Sequence, residues 1–146
     1  MLDAGCAMTN PIDVLVIEPS ESDARRTLAV IRRRAPGLST VHVSGAEVAA
    51  GLIFDFWPSE LPQLPRLLIV DLAATGEPGK AVLRRLSRVA LRANVRTVIF
   101  SACPAPLDEL QVSSPRAMNV LKPIDSDEYD VEVERVVDKL LLEQRS

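Results

Sequence analysis

Four polar residues stand directly after short apolar runs: Glu18, Asp71, Ser101 and Lys122. Two acids, a hydroxyl and an amine form a set suited to moving a phosphoryl group onto a carboxylate. Asp71 is the candidate nucleophile, since a carboxylate oxygen can attack phosphorus and form an acyl phosphate. A divalent cation held by carboxylates would offset the crowding of anion against anion. The Lys122 ammonium can pair with one phosphoryl oxygen, and the Ser101 hydroxyl can donate to another. Most of the catalysis would then be positioning and charge stabilisation.

That chemistry needs elements that bring distant residues together. Residues 12–17 are short, rich in β-branched side chains and nearly all apolar, as a strand buried on both faces reads. Ser20 offers a helix cap with an acid, Asp23, three residues on. Ala24, Leu28, Ile31 and Ala35 follow at helical spacing, and Pro36 with Gly37 stops the helix. Further strands are expected at 38–43, 67–70, 95–100 and 117–121. Helices are expected at 45–54, around Val82 to Ala90, briefly near Leu107 to Val112, and from about Asp125 onward. The last carries Tyr129, Val133, Val136, Val137, Leu140 and Leu141 on one stripe. Strands alternating with helices five times imply an α/β fold with a parallel sheet covered on both faces. In such sheets ligands bind outside the carboxyl ends of the strands, where all four candidates fall.

Composition excludes several alternatives. The balance of 47% hydrophobic and 25% charged residues is that of a globular chain rather than a disordered one. A net charge of −3 argues against a general nucleic-acid binder. Aromatics at 3% are too few for base-stacking platforms. No apolar run reaches the roughly 18–20 residues needed to cross a bilayer. Residues 1–11 lack the pattern of a secretory signal and read as a flexible tail. Cys6 and Cys103 are too few for a disulfide scaffold or a zinc site, which points to a cytoplasmic setting.

The segments "VLVIEPSESDARRTL", "LLIVDLAATGEPGKAVLRRL", "VIFSA" and "VLKP" resemble the consecutive signature segments of response-regulator receivers. Asp71 has Gly79 eight residues later, and Ser–Ala and Lys–Pro follow the fourth and fifth strands. The resemblance spans residues 12–142, so 12–146 is expected to be one receiver domain. It implies a flavodoxin-like, doubly wound sheet of five parallel strands in the order 2-1-3-4-5. It implies a phosphorelay switch rather than an enzyme. Asp71 matches the phospho-acceptor, Ser101 the hydroxyl that follows the phosphoryl group, and Lys122 the lysine that pairs with it. Glu18, Asp71 and the backbone carbonyl of Ala73 match the positions that hold Mg²⁺. The implied partners are a histidine kinase or phosphotransfer protein upstream, and a downstream protein target or a second copy in a homodimer.

Departures from that pattern are informative. Pro19 stands where the second metal-binding acid is usual and offers no side-chain oxygen, so Mg²⁺ should bind weakly. Asn119 stands where an aromatic usually couples to the switch hydroxyl, and Thr75 where proline is common. These changes favour a rival reading, a receiver-fold interaction module that works without phosphate. A flavin or other cofactor site is a third reading. It would need a phosphate-cradling loop after the first strand, where the acidic Glu18–Pro19–Ser20–Glu21 repels phosphate.

The remaining singular residues have plainer roles. His42 reads as a structural strand residue and Cys103 as an inert thiol. Phe56 and Trp57 read as packing groups. Arg25, Arg26, Arg32, Arg33 and Arg34 load the first helix, and Arg84, Arg85, Arg88 and Arg92 the third. Asp125, Asp127, Glu128, Asp130, Glu132 and Glu134 load the start of the last. In a receiver topology the first and last helices lie side by side, so some of these arginines and acids should face each other.

Overall fold

The short β-branched runs fold as expected in the computed structural model, which describes residues 12–45, 48, 65–71, 95–101 and 117–139. Of Ala117 and Asn119 it describes the backbone alone. The strands are β1 (Val14–Ile17), β2 (Thr40–Val43), β3 (Leu67–Asp71), β4 (Arg96–Ser101) and β5 (Ala117–Leu121). The helices are α1 (Glu21–Arg34) and α2 (Ser126–Val137). All neighbouring strands pair in parallel, in the order β2-β1-β3-β4-β5. The expected α/β class and strand order are both found.

Alternation along the strands sorts side chains into two faces. Val14 and Val16, Leu67 and Ile69, Val98 and Phe100, and Val120 meet Val30 and Ile31 of α1 and Tyr129, Val133, Val136 and Val137 of α2. The intervening Leu15, Ile17, Leu68, Val70 and Ile99 are buried as well. A strand buried on both faces has no polar alternation to show, which is why these runs read as continuously apolar.

Helix α1 starts where its cap chemistry dictates. Ser20 Oγ accepts from the Asp23 N–H, and Glu21 and Asp23 place negative charge in the first turn. Arg32, Arg33 and Arg34 occupy the last turn, the favourable end of the helix dipole for cations. Its inward stripe is Ala24, Thr27, Val30 and Ile31, with Leu28 only partly buried. The stripe lies closer to Thr27 than apolar spacing alone suggests. Thr27 is tolerated in the core because its hydroxyl is satisfied by Asp23 O at 2.9 Å and by Tyr129 Oη at 2.7 Å.

Helix α2 is capped by Asp125, which accepts from the N–H groups of Asp127 at 2.8 Å and Glu128 at 3.1 Å. Asp125→Ala is expected to lower stability by about 1 kcal/mol, read as a lower urea midpoint at unchanged slope. The expected pairing of α1 arginines with α2 acids is present. Arg26 meets Asp130 at 3.2 Å, Arg33 meets Glu134 at 3.7 Å, and Arg34 meets Asp138 at 2.6 Å. All are partly exposed, so they set the packing of the two helices more than they stabilise it.

Asp13 interrupts the first apolar run for a structural reason. Its carboxylate accepts from Ser39 N at 2.8 Å, and its carbonyl accepts from the N–H groups of Arg66 and Leu67. The second strand starts at Thr40 rather than Leu38, because Leu38 N is bonded back to Ala35 O in the turn after α1. No described helix is long and apolar enough to cross a membrane. Residues 1–11 and most of the expected helix at 45–54 lie outside the described residues. So do Phe56 and Trp57, the loop expected at 73–79, the expected arginine-rich third helix, Cys6 and Cys103, the expected short helix at 107–112, and Leu140 and Leu141.

Candidate functional site

Strands β1, β3 and β5 end at one rim, and each delivers a charged side chain there. Glu18 continues the row of Val14 and Val16, Asp71 that of Leu67 and Ile69, and Lys122 that of Met118 and Val120. Register keeps them level: Ile17 pairs with Val70, Asp71 with Phe100, and Ser101 with Leu121. The Lys122 N–H donates to Ser101 O at 2.8 Å, extending the β4–β5 pairing by one residue. On the other side, the Glu18 N–H donates to Val43 O at 3.0 Å, and His42 Nε2 lies 2.7 Å from Glu18 O. His42 thus has the structural role its strand position suggested.

The Lys122 ammonium is the centre of the site. Its Nζ lies 2.5 Å from Asp71 Oδ2, 2.7 Å from Asp23 Oδ2 and 2.9 Å from Glu18 Oε1. The Glu18 and Asp71 side chains are only 4% and 5% exposed, so these are contacts of low dielectric rather than surface pairs. The amine also lies 5.7 Å from the centroid of the Tyr129 ring, which packs tilted against Phe100 at 5.4 Å. Of the expected site residues, Glu18, Asp71 and Lys122 therefore meet directly. Ser101 is joined to Lys122 through its backbone and is itself buried. Ala73 lies outside the described residues.

Sequence reasoning missed Asp23. An acid three residues after Ser20 reads as the second half of a capping box, returning a bond to Ser20 N. In the structure Glu18 Oε2 accepts that N–H at 3.1 Å instead. Asp23 is thereby free to reach Lys122. The clue was in the sequence: with Glu18 two residues before the cap, two acids compete for one backbone donor.

Three carboxylates share one ammonium, and titration reflects it. Burial works against the charge on Lys122, but the bonds it donates to the carboxylates of Asp23, Asp71 and Glu18 outweigh it and raise its pKa. Burial pushes Glu18 up from 4.5 to about 7; the Lys122 amine opposes this, and the nearby Asp71 reinforces it. The folded form thus binds a proton that the unfolded chain releases near 4.5. The resulting stabilisation is complete below 4.5 and is lost as pH rises through about 7. Relative to Glu18→Gln, the wild-type protein should lose thermal stability on going from mildly acidic to mildly alkaline buffer. A pH-independent difference between the two would contradict the assignment.

The described side chains do not fit a Mg²⁺ ion. Glu18, Asp23 and Asp71 all turn an oxygen to the Lys122 ammonium, and Pro19 supplies none. Among the described residues no group of three or more His, Cys, Asp or Glu side chains is arranged to hold a metal. Mg²⁺ requires a near-octahedral oxygen shell, whereas these oxygens surround an internal cation.

No family model matches the sequence, and no curated protein matches it significantly. Solved structures do. A phosphorylated cyanobacterial phytochrome response regulator, RcpA, superimposes with a TM-score of 0.73 at 14% identity, over 90% of this chain and 94% of the other. The Mn²⁺-bound form of response regulator Rcp1 gives 0.70 at 17%, over 90% and 96%. Response regulator RPA3017, of red-light signaling in R. palustris, gives 0.68 at 19%, over 90% and 94%. The chain has the response-regulator receiver fold. That receiver fold is what sets the carboxyl ends of β1, β3 and β5 side by side, and so what lets Lys122 reach Asp71. Fold alone does not assign chemistry, which rests on the side chains.

Proposed function

We propose that this chain is a receiver of phosphorelay signalling that accepts a phosphoryl group on Asp71 and signals through protein contacts. The observation that carries this reading is the Lys122 ammonium at 2.5 Å from a carboxylate at the end of a fully buried central strand. A buried carboxylate on a rigid strand is a positioned nucleophile, and the paired ammonium stabilises charge developing beside it. The donor would be the phosphohistidine of a histidine kinase or phosphotransfer protein, in the cytoplasm. When the Asp71 oxygen forms its bond to phosphorus, the P–N bond of the ring-protonated phosphohistidine breaks, and the ring keeps the bonding pair and leaves as neutral imidazole. The phosphoryl oxygens then take the Lys122 hydrogen bond that Asp71 held and accept from the Ser101 hydroxyl. Signalling by contact has a surface near at hand, since Leu121, Ile124 and Val131 expose apolar side chains where β5 runs into α2.

Incubation with phosphoramidate, with and without Mg²⁺, should add the mass of one phosphoryl group to the protein. Asp71→Asn should abolish that adduct. Absence of the adduct at every Mg²⁺ concentration would favour the second reading, an interaction module that works without phosphate. Pro19 and Asn119 are the sequence features that favour that alternative.

A further inference from the structure

The three carboxylates at this rim surround a cation that the chain itself supplies. An ammonium has three N–H donors and no acceptor. Glu18 Oε1 and Asp71 Oδ2 accept hydrogen bonds from Lys122 Nζ, and Asp23 Oδ2 pairs with it at 2.7 Å as a third anionic partner. They reach it from three separate places: the end of β1, the first turn of α1 and the end of β3. Lys122 is also held by its backbone bond to Ser101 O, and its ammonium lies 5.7 Å from the centroid of the Tyr129 ring. A hard divalent cation at the same place would have to displace this ammonium, losing two charge-assisted hydrogen bonds and a third ion pair, and would find no side-chain oxygen at Pro19.

We propose that Lys122 is the resident counter-cation of the site, held there by Glu18, Asp23 and Asp71, and that phosphoryl acceptance by Asp71 proceeds without a divalent metal ion. This rests on the phosphoryl-acceptor reading above. Asp23 enters as a positioning residue: it touches the ammonium and anchors it from the helix side, as Glu18 does from the sheet. When zwitterionic phosphoramidate is the donor, an Asp71 oxygen forms the O–P bond and the P–N bond breaks. The nitrogen keeps the bonding pair and departs as ammonia, so the charge on both sides balances. The Lys122 donor released by Asp71 passes to a phosphoryl oxygen, while Glu18 and Asp23 stay paired with the ammonium.

Two measurements on the full chain test this. In the first, adduct formation from phosphoramidate is followed by mass spectrometry in excess Mg²⁺ and in excess EDTA. The rates should agree within about twofold, because the ion that offsets charge is covalently part of the protein. A fall of about tenfold or more in EDTA would overturn the proposal while leaving Asp71 as the acceptor. In the second, paramagnetic Mn²⁺ is titrated into ¹⁵N-labelled protein. The amides of Glu18, Asp71 and Lys122 should broaden no more than those of exposed acids elsewhere. Selective broadening at those three, at Mn²⁺ concentrations that spare the rest, would overturn it without reference to phosphorylation. If no adduct forms in either buffer, the phosphoryl-acceptor reading and the metal-free reaction fail together, and the Mn²⁺ titration alone decides the counter-cation assignment. Asp23→Asn separates positioning from simple folding. It should slow the adduct in EDTA and in Mg²⁺ alike while the fold's amide spectrum persists. An unchanged rate would remove Asp23 from the site.

Discussion

Lys122→Met is expected to destabilise the protein by about 3–5 kcal/mol above neutral pH, the cost of stripping one partner from a buried ion cluster. Methionine keeps an unbranched apolar side chain of similar volume, so the loss is mainly electrostatic. Glu18 and Asp71, almost fully buried, would face each other with Asp23 nearby and no cation between them. The sign of the pH dependence follows. On acidification Glu18, already raised to about 7 and raised further without its amine, takes up a proton and the repulsion falls, so the variant should recover part of its loss as pH falls from alkaline through about 7. Urea unfolding of wild type and variant at two pH values measures both effects. A loss below about 1 kcal/mol that does not change with pH would mean the cluster is solvated, and the site's electrostatics would need to be redrawn.

Phe100→Ala is expected to cost about 3–5 kcal/mol, the range for emptying an aromatic from a closed core. Phe100 is 1% exposed, packs on Tyr129 and lies in register with Asp71. The cavity would therefore open directly beneath the site. Tyr129 would lose its ring neighbour while keeping its hydroxyl bond to Thr27, and the ammonium would lose a fixed aromatic wall. The variant should unfold at a much lower urea concentration. Where it is still folded, it should accept a phosphoryl group more slowly than wild type. Normal adduct rates in a strongly destabilised variant would show that Asp71 and Lys122 need no support from the aromatic pair.

Much of this arrangement was legible in the residues. Five apolar runs gave five strands because buried parallel strands have no polar alternation to hide them. Glu18, Asp71 and Lys122 were legible because each follows its run directly and a parallel sheet points all such residues to one rim. The facing of α1 arginines and α2 acids was legible once the topology was assumed, since charge blocks on adjacent helices must meet. The strand order itself came only with the receiver resemblance, for no local pattern dictates which strands pair. Thr27 escaped because a search for apolar spacing passes over a hydroxyl whose partners lie one turn back and on another helix. Asp23 escaped because a local role, helix capping, explained it fully until Glu18 was seen to take that bond.

Asp13 has a consequence for how the molecule gives way. At the amino-terminal edge of the sheet, β1, β2 and β3 are stitched by neighbouring backbone amides and one short aspartate bond. At the opposite edge two backbone bonds, Glu18 to Val43 and Lys122 to Ser101, are joined by a buried cluster of charge around one lysine. The foot of the sheet is riveted and its crown is held by a magnet. Raising the pH through about 7 strips the proton from Glu18 and loosens only the second kind of fastener, so amide exchange in mildly alkaline buffer should begin at the crown and reach the foot last.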